Sequence, residues 1–76
     1  MQQIYEILQT IRPEFDFKGS DNFVNDGYLD SFDIVSLVSA LEENYSILID
    51  ALDILPENFA TAQSIADLVK KSGGTL

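Results

Sequence analysis

Apolar residues return along this chain mostly at helical spacing. Ile4, Ile7, Leu8 and Ile11 fall at i, i+3, i+4 and i+7, and Pro13 closes the pattern, so a first helix is predicted over about residues 2–12. Ile34, Leu37, Val38, Leu41 and Tyr45 repeat that spacing and predict a second helix with these five side chains toward the core. A third is predicted after Thr61, a natural N-cap, with Ala62, Ile65, Ala66, Leu68 and Val69 as its apolar positions and Lys70 and Lys71 at its negative end.

The connections differ in character. Residues 13–30 form a long link holding Pro13, Gly19, Asn22, Asn25, Asp26 and Gly27, with Phe15, Phe17, Phe23 and Tyr28 spaced through it as the side chains able to pin it. The stretch ILIDALDILPENF, from Ile47, reads as an extended link followed by a short turn or 3-10 helix near Leu55-Pro56-Glu57, since proline suits a first helical turn. Alternation over Ile47-Leu48-Ile49 is too short to build a sheet. The expected fold is all-α: a single domain over residues 1–76, a small four-helix bundle of three main helices and one short one, with a long first loop and a tail fraying over 72–76.

Two apolar residues fall outside the core stripe of the second helix. Phe32 and Val35 lie beside Ser31, with Ser36 and Ser39 on the same side. Either Phe32 tucks under the preceding loop, or the pair forms an exposed patch for a partner.

Composition narrows the function. At 76 residues and 46% hydrophobic, the chain is too apolar for disorder, yet has no apolar run near the roughly 20 residues of a membrane span. It contains neither cysteine nor histidine, which removes thiol nucleophiles, Cys-based zinc sites and the commonest acid–base side chain; catalysis is not expected. The N-terminal segment has no basic start followed by an apolar stretch, so a cytoplasmic location is expected. Thirteen acidic against four basic residues give a net charge of -9, and no Lys or Arg occurs between Gly19 and Val69. Such a one-signed field repels nucleic acid and attracts basic protein surfaces.

Metal binding finds no support. If Gly27 stood at position 6 of an EF-hand loop, Val24 and Asp33 would fall at positions 3 and 12, where a ligand and a glutamate are needed. Ser31 remains. Between Asp30 and Asp33 at the start of an apolar repeat, it reads either as a helix cap, interchangeably with Asp30, or as a hydroxyl presented where a helix dipole favours an anion.

The run Asp26-Gly27-Tyr28-Leu29-Asp30-Ser31-Phe32, the Ala40-Leu41-Glu42-Glu43 end of the second helix, Ile47 and Ile49, and Asn58-Phe59-Ala60-Thr61 before the last helix together resemble the acyl carrier protein family over nearly the whole chain. The resemblance implies that Ser31, next to its motif neighbour Asp30, carries 4'-phosphopantetheine from coenzyme A through a phosphodiester, the arm's thiol holding an acyl or aminoacyl thioester. It implies a phosphopantetheinyl transferase and acyl or aminoacyl ligases, synthases or transferases as partners of a monomeric carrier. Their basic patches would meet the second helix and its surroundings, with Phe32, Asp33, Val35, Ser36, Ser39, Glu42, Glu43, Asp50 and Asp53 as candidate contacts. Fatty-acid carriers commonly have leucine after the serine and an acid five residues after it; Phe32 and Ser36 depart from both and suggest a specialised cargo. Two other readings stand beside this one: a D-alanyl or other aminoacyl carrier paired with an adenylating ligase, and a carrier-like interaction module that is never modified.

Clustered like charge should weaken the fold at low ionic strength, because exposed charges repel over about 10 Å at ~0.1 M salt and further below it. The melting temperature is expected to rise as salt is added, measured by circular dichroism. An unchanged melting curve across the titration would contradict this.

Overall fold

Helix α1 spans Gln2–Ile11 with Ile4, Ile7 and Leu8 buried and Gln2, Gln3, Glu6 and Gln9 in solvent. The Arg12 N–H still donates to the Leu8 carbonyl, and Pro13, which has no N–H to offer, ends the helix there. These positions come from a computed structural model that describes all 76 residues, Met1–Leu76.

Helix α2 runs Ser31–Tyr45, so it begins at the serine that precedes the apolar repeat. Leu37 and Leu41 are fully buried, while Ile34, Val38 and Tyr45 pack half-buried against the same core. The Tyr45 hydroxyl is enclosed without a hydrogen-bond partner, and burial pushes its pKa up. Helix α3 spans Ala62–Lys71. Thr61 caps it as expected: its hydroxyl accepts from the Ser64 N–H at 3.0 Å, while its own N–H donates to the Ser64 hydroxyl at 3.1 Å.

The core contains sixteen buried side chains and every one is apolar, so no buried charge has to be compensated. The chain is all-helical and forms no strand. α1 lies against both α2 and α3, and the short element expected near Leu55-Pro56-Glu57 is a 3-10 turn, Pro56–Phe59, packed on α3. The link expected to be extended after Tyr45 contains a further 3-10 turn, Ala51–Asp53, because the Asp50 carboxylate accepts from the Leu52 N–H at 2.9 Å.

The long first connection is ordered by its aromatics. Phe17 and Phe23 are buried edge-to-face with ring centres 5.1 Å apart; Tyr28 meets Phe17 edge-on at 5.6 Å and stacks on Phe15 at 4.4 Å. Phe17 opens a third 3-10 turn, Phe17–Gly19. The Phe23 N–H donates to the Ala60 carbonyl at 2.7 Å, and the Tyr28 and Leu29 N–H groups donate back to the Phe23 carbonyl. Gly27, at φ 77°, makes that return possible, since a side chain is disfavoured there. Buried Leu29 is thereby fixed immediately before α2.

Both later helices end in chain reversals. After α3, Gly73 lies at φ 98°, its N–H donating to the Lys70 carbonyl and that of Gly74 to the Val69 carbonyl at 2.8 Å, a Schellman closure. Ser72–Gly74, the first part of the segment where fraying is expected, forms a hydrogen-bonded cap. After α2 the left-handed residue is Ser46, at φ 56° and ψ 47°, with the Ser46 and Ile47 N–H groups both donating to the Glu42 carbonyl.

Serine in that conformation bears a steric cost that glycine does not. Ser46→Gly is expected to stabilise the protein by about 1 kcal/mol, a rise of roughly 4–8 °C in melting temperature. Urea unfolding showing no gain, or a loss, would sink this reading of the turn.

Candidate functional site

The start of α2 is built by an exchange of hydrogen bonds. The Asp30 Oδ1 accepts from the Asp33 N–H at 2.9 Å, and the Asp33 Oδ2 accepts from the Asp30 N–H at 3.0 Å. Asp30 is thus the N-cap in a capping box whose third member is a short carboxylate where glutamate is usual. Ser31 is left as the first helical residue, exposed and with no part in the cap. The interchangeability of Asp30 and Ser31 as caps is resolved in favour of Asp30.

A cation holds this box together. Arg12, just past α1, donates from Nε to the Asp33 Oδ2 at 2.9 Å and from Nη1 to Glu14 at 3.1 Å, and its Nη2 lies 3.4 Å from the Asp30 Oδ2. The hydrogen bond to Glu14 and then that to Asp33 raise the Arg12 pKa. Glu14 is lowered, first by a hydrogen bond from its own N–H and then by Arg12. Asp30 is held below the usual carboxylate range chiefly by the Asp33 N–H, with attraction to Arg12 adding to it. Arg12 does not stand out in the apolar pattern or the motif around Ser31. The available signal was that the chain's single arginine immediately precedes the only long link into the acidic centre.

The candidate contact residues divide. Phe32, Val35, Ser36, Ser39 and Glu43 follow one another at helical spacing along α2 and all are exposed; Ser31 stands one turn before Val35 on the same side. Phe32 is 84% exposed and Val35 64%, so Phe32 does not tuck under the loop. The other acids are engaged by the chain itself. Asp33 is in the capping box, Glu42 accepts from the Ile49 N–H at 3.0 Å, Asp53 pairs with Lys71 at 2.7 Å, and Asp50 starts the Ala51–Asp53 turn. Glu42 and Asp53 are half-buried as a result.

Further exposed apolar side chains lie in the link after α2, where Leu48 is 85% and Leu52 83% exposed. Alternation with buried Ile47 and Ile49 was the signal for Leu48; nothing in the pattern marked Leu52. The loop acids Asp16, Asp21 and Asp26 are not gathered into a group able to hold a metal ion. A surface groove of about 380 Å³ between α1 and the Phe17–Gly19 turn is lined by Tyr5, Gln9, Phe17 and Lys18, among others, and does not include Ser31.

What the arrangement can do is present one hydroxyl. Ser31 projects at the positive end of a 15-residue helix, where free N–H groups favour an attached anion, and no hydrogen bond of the cap must break for it to react.

Asp30, with its pKa depressed, contributes stability that is fully present above the ordinary carboxylate range of about pH 4 and is lost as pH falls through its lowered value. Asn caps as well as Asp but carries no charge. The stability lost on Asp30→Asn is therefore expected to be present at about pH 7 and to shrink as pH falls below about 4 in urea unfolding. A loss of the same size at both ends would show that the charge is not what matters.

No protein-family model matches the chain, and no solved structure matches it at a significant level.

Proposed function

We propose that this protein is an acyl carrier that takes 4'-phosphopantetheine on Ser31 and presents acyl or aminoacyl groups to partner enzymes. One observation supports it above the rest: of the two adjacent side chains able to cap α2, Asp30 does the capping and Ser31 is left exposed as the first helical residue. The resemblance of the segment from Asp26 to Phe32 to the acyl carrier protein family adds the identity of the group. The residues fit it, since a phosphodiester on Ser31 would sit at a helix N-terminus with no side chain to displace. When bound, the arm supplies a thiol, which a chain without cysteine lacks. The chain's own part is then to hold the serine out, keep the helix start rigid and offer a docking face, with no catalysis of its own.

That face is Phe32, Val35, Ser36, Ser39 and Glu43, with Asp50 beyond the helix; Asp33, Glu42 and Asp53 shape it from within. A phosphopantetheinyl transferase and cargo ligases or synthases with basic surfaces are the expected partners of a monomeric, cytoplasmic carrier, and the fold is read as a variant of the four-helix carrier bundle. Phe32 and Ser36, a larger apolar side chain and a hydroxyl where fatty-acid carriers commonly have leucine and an acid, favour a specialised acyl or aminoacyl cargo over a housekeeping fatty acid. The absence of a long apolar span among the helices agrees with a carrier that does not cross a membrane.

Incubation with coenzyme A and a broad-specificity phosphopantetheinyl transferase is expected to add one phosphopantetheine to the intact mass of the wild type and none to Ser31→Ala. A folded wild type that gains nothing, beside a control carrier that is modified, would overturn the carrier reading in favour of an unmodified interaction module.

A further inference from the structure

Of the large apolar side chains left in solvent, Met1 and Leu76 stand at the ends of the chain and all the others fall between Phe32 and Leu55. Phe32 and Val35 belong to the α2 face described above. The rest lie in residues 48–55 of the link after α2: Leu48 and Leu52 are almost fully exposed, Ile54 and Leu55 less so. One exposed leucine is ordinary, but four apolar side chains gathered in so short a segment mark a contact surface.

The backbone holds these side chains outward. The Ile49 N–H is tied to the Glu42 carboxylate at 3.0 Å and the Leu52 N–H to the Asp50 carboxylate at 2.9 Å. The Asn58 side chain donates to the Asp53 carbonyl at 2.6 Å, and Lys71 pairs with the Asp53 carboxylate at 2.7 Å. Ile47 and Ile49, on either side of Leu48 in the chain, are buried, so turning Leu48 inward would bring both of them out. A surface fixed in this way loses little conformational freedom when it is covered.

Charge selects what covers it. Asp50 and Glu57 are exposed in the same segment and neither is paired with a cation, while Lys71, which reaches the segment, is taken by Asp53. No Lys or Arg lies between Gly19 and Val69. A second copy of the chain would bring a net charge of -9 and the same acids against this surface, and nucleic acid is repelled for the same reason. Its complement is an apolar cleft rimmed by Lys or Arg.

We propose that residues 48–57 are a docking site for a partner protein with such a cleft: Leu48 and Leu52 are the anchors that it buries, and Asp50 and Glu57 pair with its basic rim. This is a second docking element beside the α2 face. It does not require Ser31 to be modified, so this proposal and the carrier reading stand or fall separately.

The probe is a synthetic amphipathic helix of leucine and lysine, with one of leucine and glutamate as control, titrated into the unmodified protein and followed by NMR amide shifts and peptide fluorescence anisotropy. The Leu/Lys peptide is expected to move the amides of residues 48–57 and to bind Leu48→Ser/Leu52→Ser about tenfold or more weakly than wild type. Asp50→Asn/Glu57→Gln, which keeps an acceptor for the Leu52 N–H, is expected to weaken binding at low salt and to flatten its salt dependence. All four side chains are exposed, so these variants are expected to keep the wild-type fold, which circular dichroism checks, and the shift map of the wild type needs no variant. Shifts confined to α2 or spread evenly over the acidic surface, a double leucine variant that binds as wild type does, or equal binding of the Leu/Glu peptide overturns the proposal. So does a wild-type dimer, seen by sedimentation, that Leu48→Ser/Leu52→Ser abolishes, because the occupant is then a second copy of the chain.

Discussion

Asp30 and Asp33 exchange hydrogen bonds across the first turn of α2, and the freedom of every neighbouring side chain follows from that exchange. Because Asp30 accepts from the Asp33 N–H, the serine between them has no structural task. Because Asp33 turns back to the Asp30 N–H, its charge is drawn in toward Arg12 and away from solvent. The same two residues thus start a helix, tie it to the end of α1 and leave one hydroxyl unclaimed. Ion pairs at a protein surface contribute little to stability singly, on the order of 0–1 kcal/mol. Their weight here lies in geometry, since they set which groups face outward at one point of the surface.

The same economy governs the rest of the acidic centre. A chain of -9 charge could be expected to display its carboxylates uniformly, yet Glu42, Asp50 and Asp53 are each bound to a backbone N–H or a lysine that shapes the chain after α2. Glu42 does most of this, receiving the Ser46 and Ile47 N–H groups on its carbonyl and the Ile49 N–H on its carboxylate. What remains outward on α2 is more apolar than charged. A partner meeting this face gains from burying Phe32 and Val35 as well as from the long-range field, and the two act at different stages: charge steers the approach, burial holds the complex.

Much of the fold was legible because periodicity reports burial directly. The stripes at Ile4–Ile11, Ile34–Tyr45 and Ala62–Val69 each lie on the core as spaced, and Thr61 and Pro56 stand where cap and first-turn chemistry put them. The aromatics of the first connection could be named as pins, but their pairing could not, since ring stacking depends on a loop path set by Gly27 and the Phe23 to Ala60 hydrogen bond. Capping was legible only in part. Asp-Ser at a helix start offers two acceptors one residue apart, and the choice between them depends on Asp33 and Arg12, the second being distant in sequence. The closure over Ser72–Gly74 was hidden for a related reason: paired glycines read as loose chain unless the carbonyls they satisfy are known.

That closure also has a mechanical side. A Cβ on residue 74 would come within 2.5 Å of a Val69 methyl and 3.3 Å of one on Ile47, so the backbone there is pressed between α3 and the turn that follows α2. Whatever polypeptide comes after it leaves from a clamped root. Gly74 thereby joins the end of α3 to the turn after α2, two segments that are distant in sequence and held side by side by a residue without a side chain.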